Sequence, residues 1–388
     1  MTGGGTAGHV IPLLAVASEL RKLHPDAEIK YIGNRGDSFV SLVAKSNSFD
    51  HISLIFAGKF RRYHKISKLV YLKDPRIFFK NARDFFLFLL GFIQSVFILL
   101  LWRPNVILVK GGFVGLPVGL AGAFLRVPIV THDSDAVPGL TNRVLAKYSL
   151  FQAVSMPIDL YGYDKKTIRL TGLPVRDEFV TTTHDELISA RKNIDIDSKA
   201  FVVAVVGGSL GALKLNNAVQ AIAEKFLNSR PDNVLIHVTG KAHSDSIEKA
   251  YEVLSPEVRR RIIVLPFSNE LHLLTAAADI VVTRAGSSIH ELSVQKKCII
   301  LVPNPILTGG HQTKNALLIE KNNAGVVINE KDLEATKGQI LLDKIVQLQD
   351  NKTYRDELAL NLGNLAVPDA ATKIVHVLEE ALRVDHAH

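Results

Sequence analysis

Short, nearly unbroken apolar runs alternate along this chain with longer stretches of helical periodicity. In the first half, residues 29–33, 106–109, 127–131 and 151–154 read as strands. In the second, residues 201–206, 234–238, 262–265, 280–282, 299–302 and 325–328 do. Strands that are apolar on both sides belong to parallel sheets covered by helices on both faces. Their regular alternation with helical stretches predicts an α/β, doubly wound architecture.

The pattern restarts midway. Residues 165–199 are charged and carry Gly172 and Pro174. From Phe201 a new strand runs into Gly207-Gly208-Ser209-Leu210-Gly211-Ala212 and then a helix. This mirrors the opening loop, Gly3-Gly4-Gly5-Thr6-Ala7-Gly8-His9, which feeds the apolar stretch 10–17. The chain therefore reads as two similar halves, and 388 residues suit two domains. Ligands of such sheets bind beyond the carboxyl ends of the strands, so two halves face to face are expected to form a cleft. The opening loop has no strand ahead of it. The first strand of the N-terminal domain is thus expected to be absent from the chain, or to lie upstream of Met1.

One segment departs from the alternation. Residues 85–101 are apolar almost all round, which means core burial or contact with lipid. Upstream lie Lys59, Arg61, Arg62, His64, Lys65, Lys68, Lys73, Arg76, Lys80 and Arg83. A basic collar beside an aromatic, apolar helix fits monotopic contact of residues 59–101 with an anionic membrane surface. The net charge of +8 agrees with an anionic partner. The single cysteine, Cys298, excludes a disulfide framework and a cysteine-built metal site, and suits a reducing cytosol.

Three glycine loops sit at strand ends: 3–8, 207–212, and Lys110-Gly111-Gly112-Phe113-Val114-Gly115. None is G-x-G-x-x-G with an acidic residue on the next strand, nor G-x-x-x-x-G-K-[ST]. Nicotinamide binding and P-loop chemistry are disfavoured accordingly. Arg284-Ala285-Gly286-Ser287-Ser288-Ile289-His290-Glu291 reads as a loop entering a helix, with hydroxyls and N–H groups suited to a phosphate. Glu291 then either accepts bonds from a ribose diol or is a favourable charge in a first helical turn. His311, Gln312 and Asn315 share one helical edge suited to sugar hydroxyls. Asp133-Ser134-Asp135 and Asp195-Ile196-Asp197 match the short D-x-D metal–nucleotide pattern; the first follows a strand, and the second lies in a charged linker.

Together these residues resemble the MurG family, the peptidoglycan N-acetylglucosaminyltransferases that make lipid II. The resemblance rests on Gly3-Gly4-Gly5-Thr6-x-Gly8-His9, Gly111-Gly112-Phe113-Val114, Gly139-Leu140-Thr141-Asn142-Arg143, Gly172-x-Pro174-Val175-Arg176, Gly207-Gly208-Ser209-x-Gly211-Ala212, Arg284-Ala285-Gly286 and His311-Gln312-x-x-Asn315-Ala316. These run in family order across nearly the whole chain.

The resemblance implies a GT-B fold of two Rossmann-like domains. Residues 1–171 would form the acceptor- and membrane-binding domain, with residues 368–388 packing back on it, and residues 172–367 the UDP-sugar domain. It implies inverting transfer of N-acetylglucosamine from UDP-N-acetylglucosamine to the muramoyl 4-hydroxyl on undecaprenyl pyrophosphate. The enzyme would be peripheral, on the cytoplasmic face of the cell membrane, with no cofactor, no metal and no nucleic-acid partner. His9 is the candidate base, or else a loop-packing histidine that shapes the acceptor pocket. Asp135 is the second catalytic candidate. Thr6, Ala7, Gly8, Asp135, Arg176, Ser209, Ser268, Ser287, Ser288, Glu291, His311 and Gln312 would hold UDP-N-acetylglucosamine. Gly4, Gly5, Gly111 and Gly112 would form the loops for the acceptor and its phosphates. Arg176 would supply a fixed charge near the donor or tie the domains together.

The chain departs from the family pattern in places. It has His132-Asp133-Ser134-Asp135 where the family commonly has His-Glu-Gln-Asn, and residues 284–291 run one residue short. Other readings are a related GT-B transferase acting on another lipid, a GT-B-like UDP-N-acetylglucosamine epimerase, and a non-enzymatic paralogue that only binds nucleotide or membrane. The apolar helix argues against the epimerase.

Overall fold

The computed structural model describes residues 1–59, 75–208, 212–306 and 310–385, with side chains from residue 79 in the helix that begins at Pro75 and up to residue 384. It contains two compact units, Met1–Arg176 with Val367–His388, and Asp177–Ala366. Residues 172–176, assigned to the second unit from sequence, cluster with the first. His132 Nε2 donates to Gly172 O at 2.8 Å, and a Cβ on Gly172 would lie 2.6 Å from Val367 Cβ. These contacts hold the segment against the first unit.

In the first unit, α1 (Ala7–Leu23), β1 (Lys30–Asn34), α2 (Val40–Lys45) and β2 (His51–Ile55) precede a long helix, α3 (Pro75–Trp102). Then come β3 (Ile107–Val109), α4 (Gly112–Phe124), β4 (Ile129–Asp133), α5 (Leu140–Leu145), β5 (Phe151–Val154) and β6 (Ile168–Leu170). All pairings are parallel: β1 with β2, and β3-β4-β5-β6 in order. Thr2 joins the two groups by bridging Ile32 on one side and Val109 on the other. Among the described residues no strand precedes α1, and this one bridging residue stands where that strand was expected. The sequence pattern could not show it, because one residue has no periodicity.

Helix α1 and the last helix cover one face, where Val10, Leu13, Ile374 and Leu378 pack on Leu108 and Val130. Helices α3 and α4 cover the other, where Leu99, Val114 and Val118 pack on Ile107, Val109 and Ile129. Helix α3 is longer than the apolar run 85–101 predicted, and residues 79–102 suffice in length and composition to cross a membrane. One face is pinned to the unit: a Cβ on Gly91 would lie 1.9 Å from Phe56 O, and one on Gly58 1.7 Å from Asp84 O. The other presents Phe85, Phe86, Leu89, Leu90, Ile93, Phe97, Leu100 and Leu101 to solvent. Of the basic collar, Lys59, Lys80 and Arg83 are exposed. Arg61, Arg62, His64, Lys65, Lys68 and Lys73, with the side chain of Arg76, lie outside the described residues.

The second unit begins with α6 (His184–Asn193), closed by a capping box between Thr183 and Glu186. Strands β7 (Phe201–Val206), β8 (Asn233–Val238), β9 (Ile262–Leu265), β10 (Ile280–Thr283), β11 (Cys298–Leu301) and β12 (Val326–Val327) form one parallel sheet ordered β12-β11-β10-β7-β8-β9. Its helices are α7 (Leu213–Ser229), α8 (Ser244–Glu252), α9 (Pro256–Arg259), α10 (Leu271–Ala277), α11 (Ser288–Val294), α12 (His311–Lys321), α13 (Glu330–Ala335), α14 (Gln339–Asp350) and α15 (Lys352–Asn364). β7 shows why an all-apolar run makes such a strand. Phe201, Val203 and Val205 pack into the layer of α7 and α14, and Val202, Ala204 and Val206 into that of α10, α11 and α12. Each of the Val and Phe burials contributes about 1.5–3 kcal/mol. The final helix, α16 (Ala370–Asp385), belongs to the first unit.

Candidate active site

In an open parallel sheet the site lies where strand order reverses, at the carboxyl ends. In the first unit that point falls between Thr2 and β3, so the loops 3–5 and 110–112 meet there. Gly5 has φ +83°, and Gly111 and Gly112 have φ +96° and +76°, conformations L side chains rarely adopt. Gly5 N–H donates to Asp37 Oδ2 at 2.7 Å, and Tyr31 OH to Gly3 O at 2.6 Å, which fixes the loop ahead of α1.

His9 stands in the first turn of α1, and its ring lies over the second loop. Its Nδ1 is 3.1 Å from Gly4 O and 3.1 Å from Thr6 Oγ1. A carbonyl oxygen only accepts, so Nδ1 carries the proton and Nε2 keeps its lone pair. Desolvation first, and then the charge of Lys110, push its pKa down to about 4. Gly4 O, Asp135 and Asp37 oppose that shift. His9 is therefore neutral at pH 7.

Lys110 itself is buried, and desolvation brings its ammonium down to about 8 against the pull of Asp133 and Asp135. Its Nζ donates to Ser134 Oγ. Asp133 is committed internally. Its Oδ1 accepts from Gly139 N–H at 3.1 Å and Asn142 Nδ2 at 2.9 Å, and its Oδ2 from Tyr163 OH at 2.8 Å. Burial raises its pKa. With both oxygens in use, Asp133 is a poor metal ligand, and among the described residues no group of three or more His, Cys, Asp or Glu could hold a metal ion. Asp135, whose backbone oxygen accepts from Tyr161 OH at 2.9 Å, is the carboxylate that acts on both His9 and Lys110. Thr6, Ala7 and Gly8 open α1, where unpaired N–H groups and the helix dipole favour an anion. Arg176 ends the first unit's main segment.

In the second unit order reverses between β7 and β10. Thr283 Oγ1 donates to Val206 O at 2.9 Å and ties the two strand ends. Gly207 and Gly208 leave β7, Gly208 with φ +84°; Ser209 lies outside the described residues. The loop after β10 is held from beneath. Arg284 donates to Val302 O at 2.9 Å and Glu330 Oε1 at 2.7 Å, both buried. Asn315 Nδ2 donates to Ala285 O at 3.0 Å. Ser287 caps α11 with its side chain making no cap bond, Ser288 begins that helix, and Glu291 follows in its first turn.

On α12, His311 is the first residue, after Gly310 at φ +65°. Gln312 is buried, and its Oε1 accepts from Asn304 N–H at 2.8 Å. Its Nε2 faces Gly286, 3.8 Å from where a Cβ would be. Asn315 is thus scaffold, while His311 stays at the edge. Ser268 Oγ accepts from Glu270 N–H at 3.0 Å, and the neighbouring Phe267 ring carries Lys241 Nζ 5.6 Å from its centroid.

Sequence reasoning gave no role to Lys110, Asp37 or Tyr163. Lys110 had a signal, its place between a strand and a glycine pair. Asp37 and Tyr163 had none, because they arrive from distant parts of the chain.

The glycosyltransferase family 28 N-terminal domain matches residues 1–151, and the family's C-terminal domain residues 202–374. A UDP-N-acetylglucosamine–N-acetylmuramyl-(pentapeptide) pyrophosphoryl-undecaprenol N-acetylglucosamine transferase from Acetivibrio thermocellus is 31% identical over 99% of this chain and 98% of its own. One of the same description from Listeria monocytogenes is 32% identical over 97% and 98%. Among solved structures, Acinetobacter baumannii MurG superposes with a TM-score of 0.70 at 22% identity, covering 98% of both chains. A UDP-GlcNAc 2-epimerase from Neisseria meningitidis, bound to UDP-GlcNAc, superposes at 0.65 and 12% identity over 98% and 99%. At such identities the likeness speaks to fold alone.

Proposed function

The chain belongs to the MurG family of glycosyltransferase family 28, with its GT-B two-domain α/β fold, and from that premise we propose that it converts lipid I to lipid II. It transfers N-acetylglucosamine from UDP-N-acetylglucosamine to the undecaprenyl-pyrophosphoryl muramoyl peptide, with inversion. In doing so it serves peptidoglycan synthesis, and through it cell shape and division.

The observation that carries the mechanism is the anchoring of His9 through Nδ1 on Gly4 O. The lone pair of Nε2 takes the proton of the muramoyl 4-hydroxyl. Its oxygen forms the new bond to the sugar C1, while the C1–O bond to UDP breaks and UDP leaves with the electron pair. A base held in one tautomer and orientation contributes about 10²–10⁴ in rate. Asp135 stabilises the imidazolium that forms. Gly4, Gly5 and the Gly111–Gly112 turn, with Lys110 behind them, attract the acceptor pyrophosphate, and Thr6, Ala7 and Gly8 at the head of α1 hold UDP-N-acetylglucosamine. In the second unit the N-termini of α7 and α11 meet the negative charge that develops on UDP. Ser287 and Ser288 stand at the N-terminus of α11, and Glu291 receives the ribose. Gln312 Nε2 and His311 face the sugar, and Ser268 marks the uracil side. Arg176, the last residue of the first unit's main segment, supplies a positive charge for the donor.

The exposed apolar face of α3, with Lys59, Lys80 and Arg83, lies in an anionic membrane surface on the cytoplasmic side. The packing of its other face on residues 55–58 supports an interfacial rather than a spanning position. Incubation with radiolabelled UDP-N-acetylglucosamine and a short-chain lipid I analogue tests the reading. Label in the lipid product is expected. Loss of the donor to an epimer without product, or no turnover, would overturn it.

A further inference from the structure

The second unit buries a line of three polar side chains in its core. Asn216 of α7 and His237 of β8 are fully buried, and so, but for its edge, is Tyr251 of α8. Tyr251 packs in one cluster with Leu215, Val219, Leu235 and Ile247. Asn216 Nδ2 donates to Thr239 O at 2.8 Å. His237 Nε2 lies 3.2 Å from Asn216 Oδ1, and its Nδ1 2.9 Å from Tyr251 OH. The carbonyl at one end decides every direction along the line. Thr239 O can only accept, so the amide nitrogen of Asn216 faces it and Oδ1 faces the ring. Oδ1 can only accept as well, so His237 carries its proton on Nε2, and Nδ1 accepts from the Tyr251 hydroxyl. Burial brings the His237 pKa down to about 4 and keeps the ring neutral.

We propose that Tyr251, His237 and Asn216 are positioning residues that aim the first turn of α7 at the diphosphate of the sugar donor. The proposal rests on the function proposed above, in which the N-terminus of α7 meets the charge on UDP. Three observations support it. First, the line ends at the carboxyl edge of the sheet, where ligands of such folds bind. Thr239 directly follows β8, its N–H donates to Leu265 O at 2.9 Å, and next to it Gly207 N–H donates to Val238 O at 3.3 Å. Asn216 thus ties α7 to the strand end beside the glycine loop that leaves β7. Second, Asn216 is the fourth residue of α7, and its own N–H donates to Ala212 O at 2.8 Å. The N–H groups that a helix leaves free for an anion belong to its first turn, so a side chain fixed here sets where they point. Third, stability alone does not call for this polarity. Apolar groups of the same shape in place of both partners of a buried hydrogen bond are nearly neutral. A fully satisfied, directional line instead rigidifies one arrangement of the elements it joins.

The test measures UDP binding by calorimetry and uridine binding by ligand-observed NMR. A loosened fold weakens both ligands, whereas a misaimed α7 weakens only the one that carries the diphosphate. Asn216→Leu and His237→Leu are expected to weaken UDP ~10-fold, the order of one hydrogen bond to a charged group, and to leave uridine within ~2-fold. Tyr251→Phe, the mildest change, should weaken UDP ~3-fold. His237→Gln returns an N–H near the place of Nε2 and should bring UDP back to within ~3-fold of the parent. Leu227, fully buried near the far end of α7, supplies the control. Leu227→Ala lowers the thermal midpoint and changes neither affinity. Equal weakening of UDP and uridine, or parental UDP affinity in the two leucine variants, would overturn the proposal. So would a loss in Leu227→Ala as large as theirs. If the leucine variants do not fold, Tyr251→Phe decides, and parental UDP affinity there overturns it. The comparison uses neither sugar nor lipid acceptor, so it can fail while lipid product forms in the transferase assay, and hold while none does.

Discussion

Replacing Gly112 by alanine separates the anchoring of His9 from general stability. At φ +76° the new Cβ would sit 2.8 Å from Gly4 O and 3.1 Å from His9 Nδ1. An L residue in the left-handed region costs roughly 1–2 kcal/mol. The methyl must also push Gly4 O and the imidazole apart, losing a hydrogen bond worth about 1 kcal/mol net. The sum is a destabilisation of about 2–3 kcal/mol, or ~4–12 °C in thermal midpoint at ~2–4 °C per kcal/mol. The effect on catalysis is larger, because a base displaced by an ångström loses ~10² in rate. Gly122→Ala is the control. Its Cβ would meet Ile107 Cδ1 at 2.6 Å, on the same helix and sheet but away from His9. Overpacking of that kind costs roughly 1–3 kcal/mol. Steady-state kinetics at a temperature where both variants are folded should show kcat/KM reduced ~10² for Gly112→Ala and near the parent value for Gly122→Ala. Equal losses in the two, or an unimpaired Gly112→Ala, would refute the reasoning.

Acid stability reports on the same site. His9 sits at about 4 in the fold against 6.5 unfolded, so the unfolded chain binds a proton the folded site refuses. Stability falls as pH drops from about 6.5 to 4 and is level above; His9→Gln should remove about 3 kcal/mol of that fall. Urea unfolding at both pH values checks it, and parallel losses in parent and variant would count against a desolvated ring. Among the described residues, Arg284→Met leaves Glu330, 4% exposed, with Lys214 at 3.4 Å as its ion-pair partner. A loss of about 3–5 kcal/mol is expected by denaturant midpoint, together with weaker UDP binding by calorimetry. A loss below ~1 kcal/mol would place the pair among ordinary surface contacts. Phe86 and Phe97 are 68% and 63% exposed. Changing both to Glu should cut cosedimentation with anionic vesicles by more than ~10-fold and barely move the thermal midpoint, and unchanged sedimentation would sink the membrane reading of α3.

How far the site was legible depends on how local each signal is. The glycine turns could be read because their positive φ is demanded by the chain's own path. Residues 51–55 escaped as a strand because His51 and Ser53 break the apolar run. Residues 168–170 escaped because a three-residue edge strand with Arg169 at its centre looks like the charged stretch around it. His311, Gln312 and Asn315 were read as sharing a helical edge suited to sugar hydroxyls, and all three lie on α12, Gln312 and Asn315 buried. Their partners, Asn304 and Ala285, could not be read, so a shared edge could not be divided into ligand-facing and structural positions.

The sequence by itself determined two parallel α/β units, the glycine loops at their strand ends, the family, and His9 at the head of α1. Each is written in short-range periodicity or in an ordered set of short motifs. Tertiary structure alone decided that Asp37 would brace Gly5 and that Lys110 and Asp135 would share the charge environment of His9. It also decided that Asp133 would be spent on Gly139, Asn142 and Tyr163, and that Thr2 would join two groups of strands. These pairings cross up to tens of residues and exist only once the first unit's strands are laid side by side. The tautomer of His9, and with it its readiness to act as a base, belongs to that second set. One carbonyl, five residues back along a glycine turn that Asp37 and Tyr31 brace, decides which ring nitrogen keeps its proton.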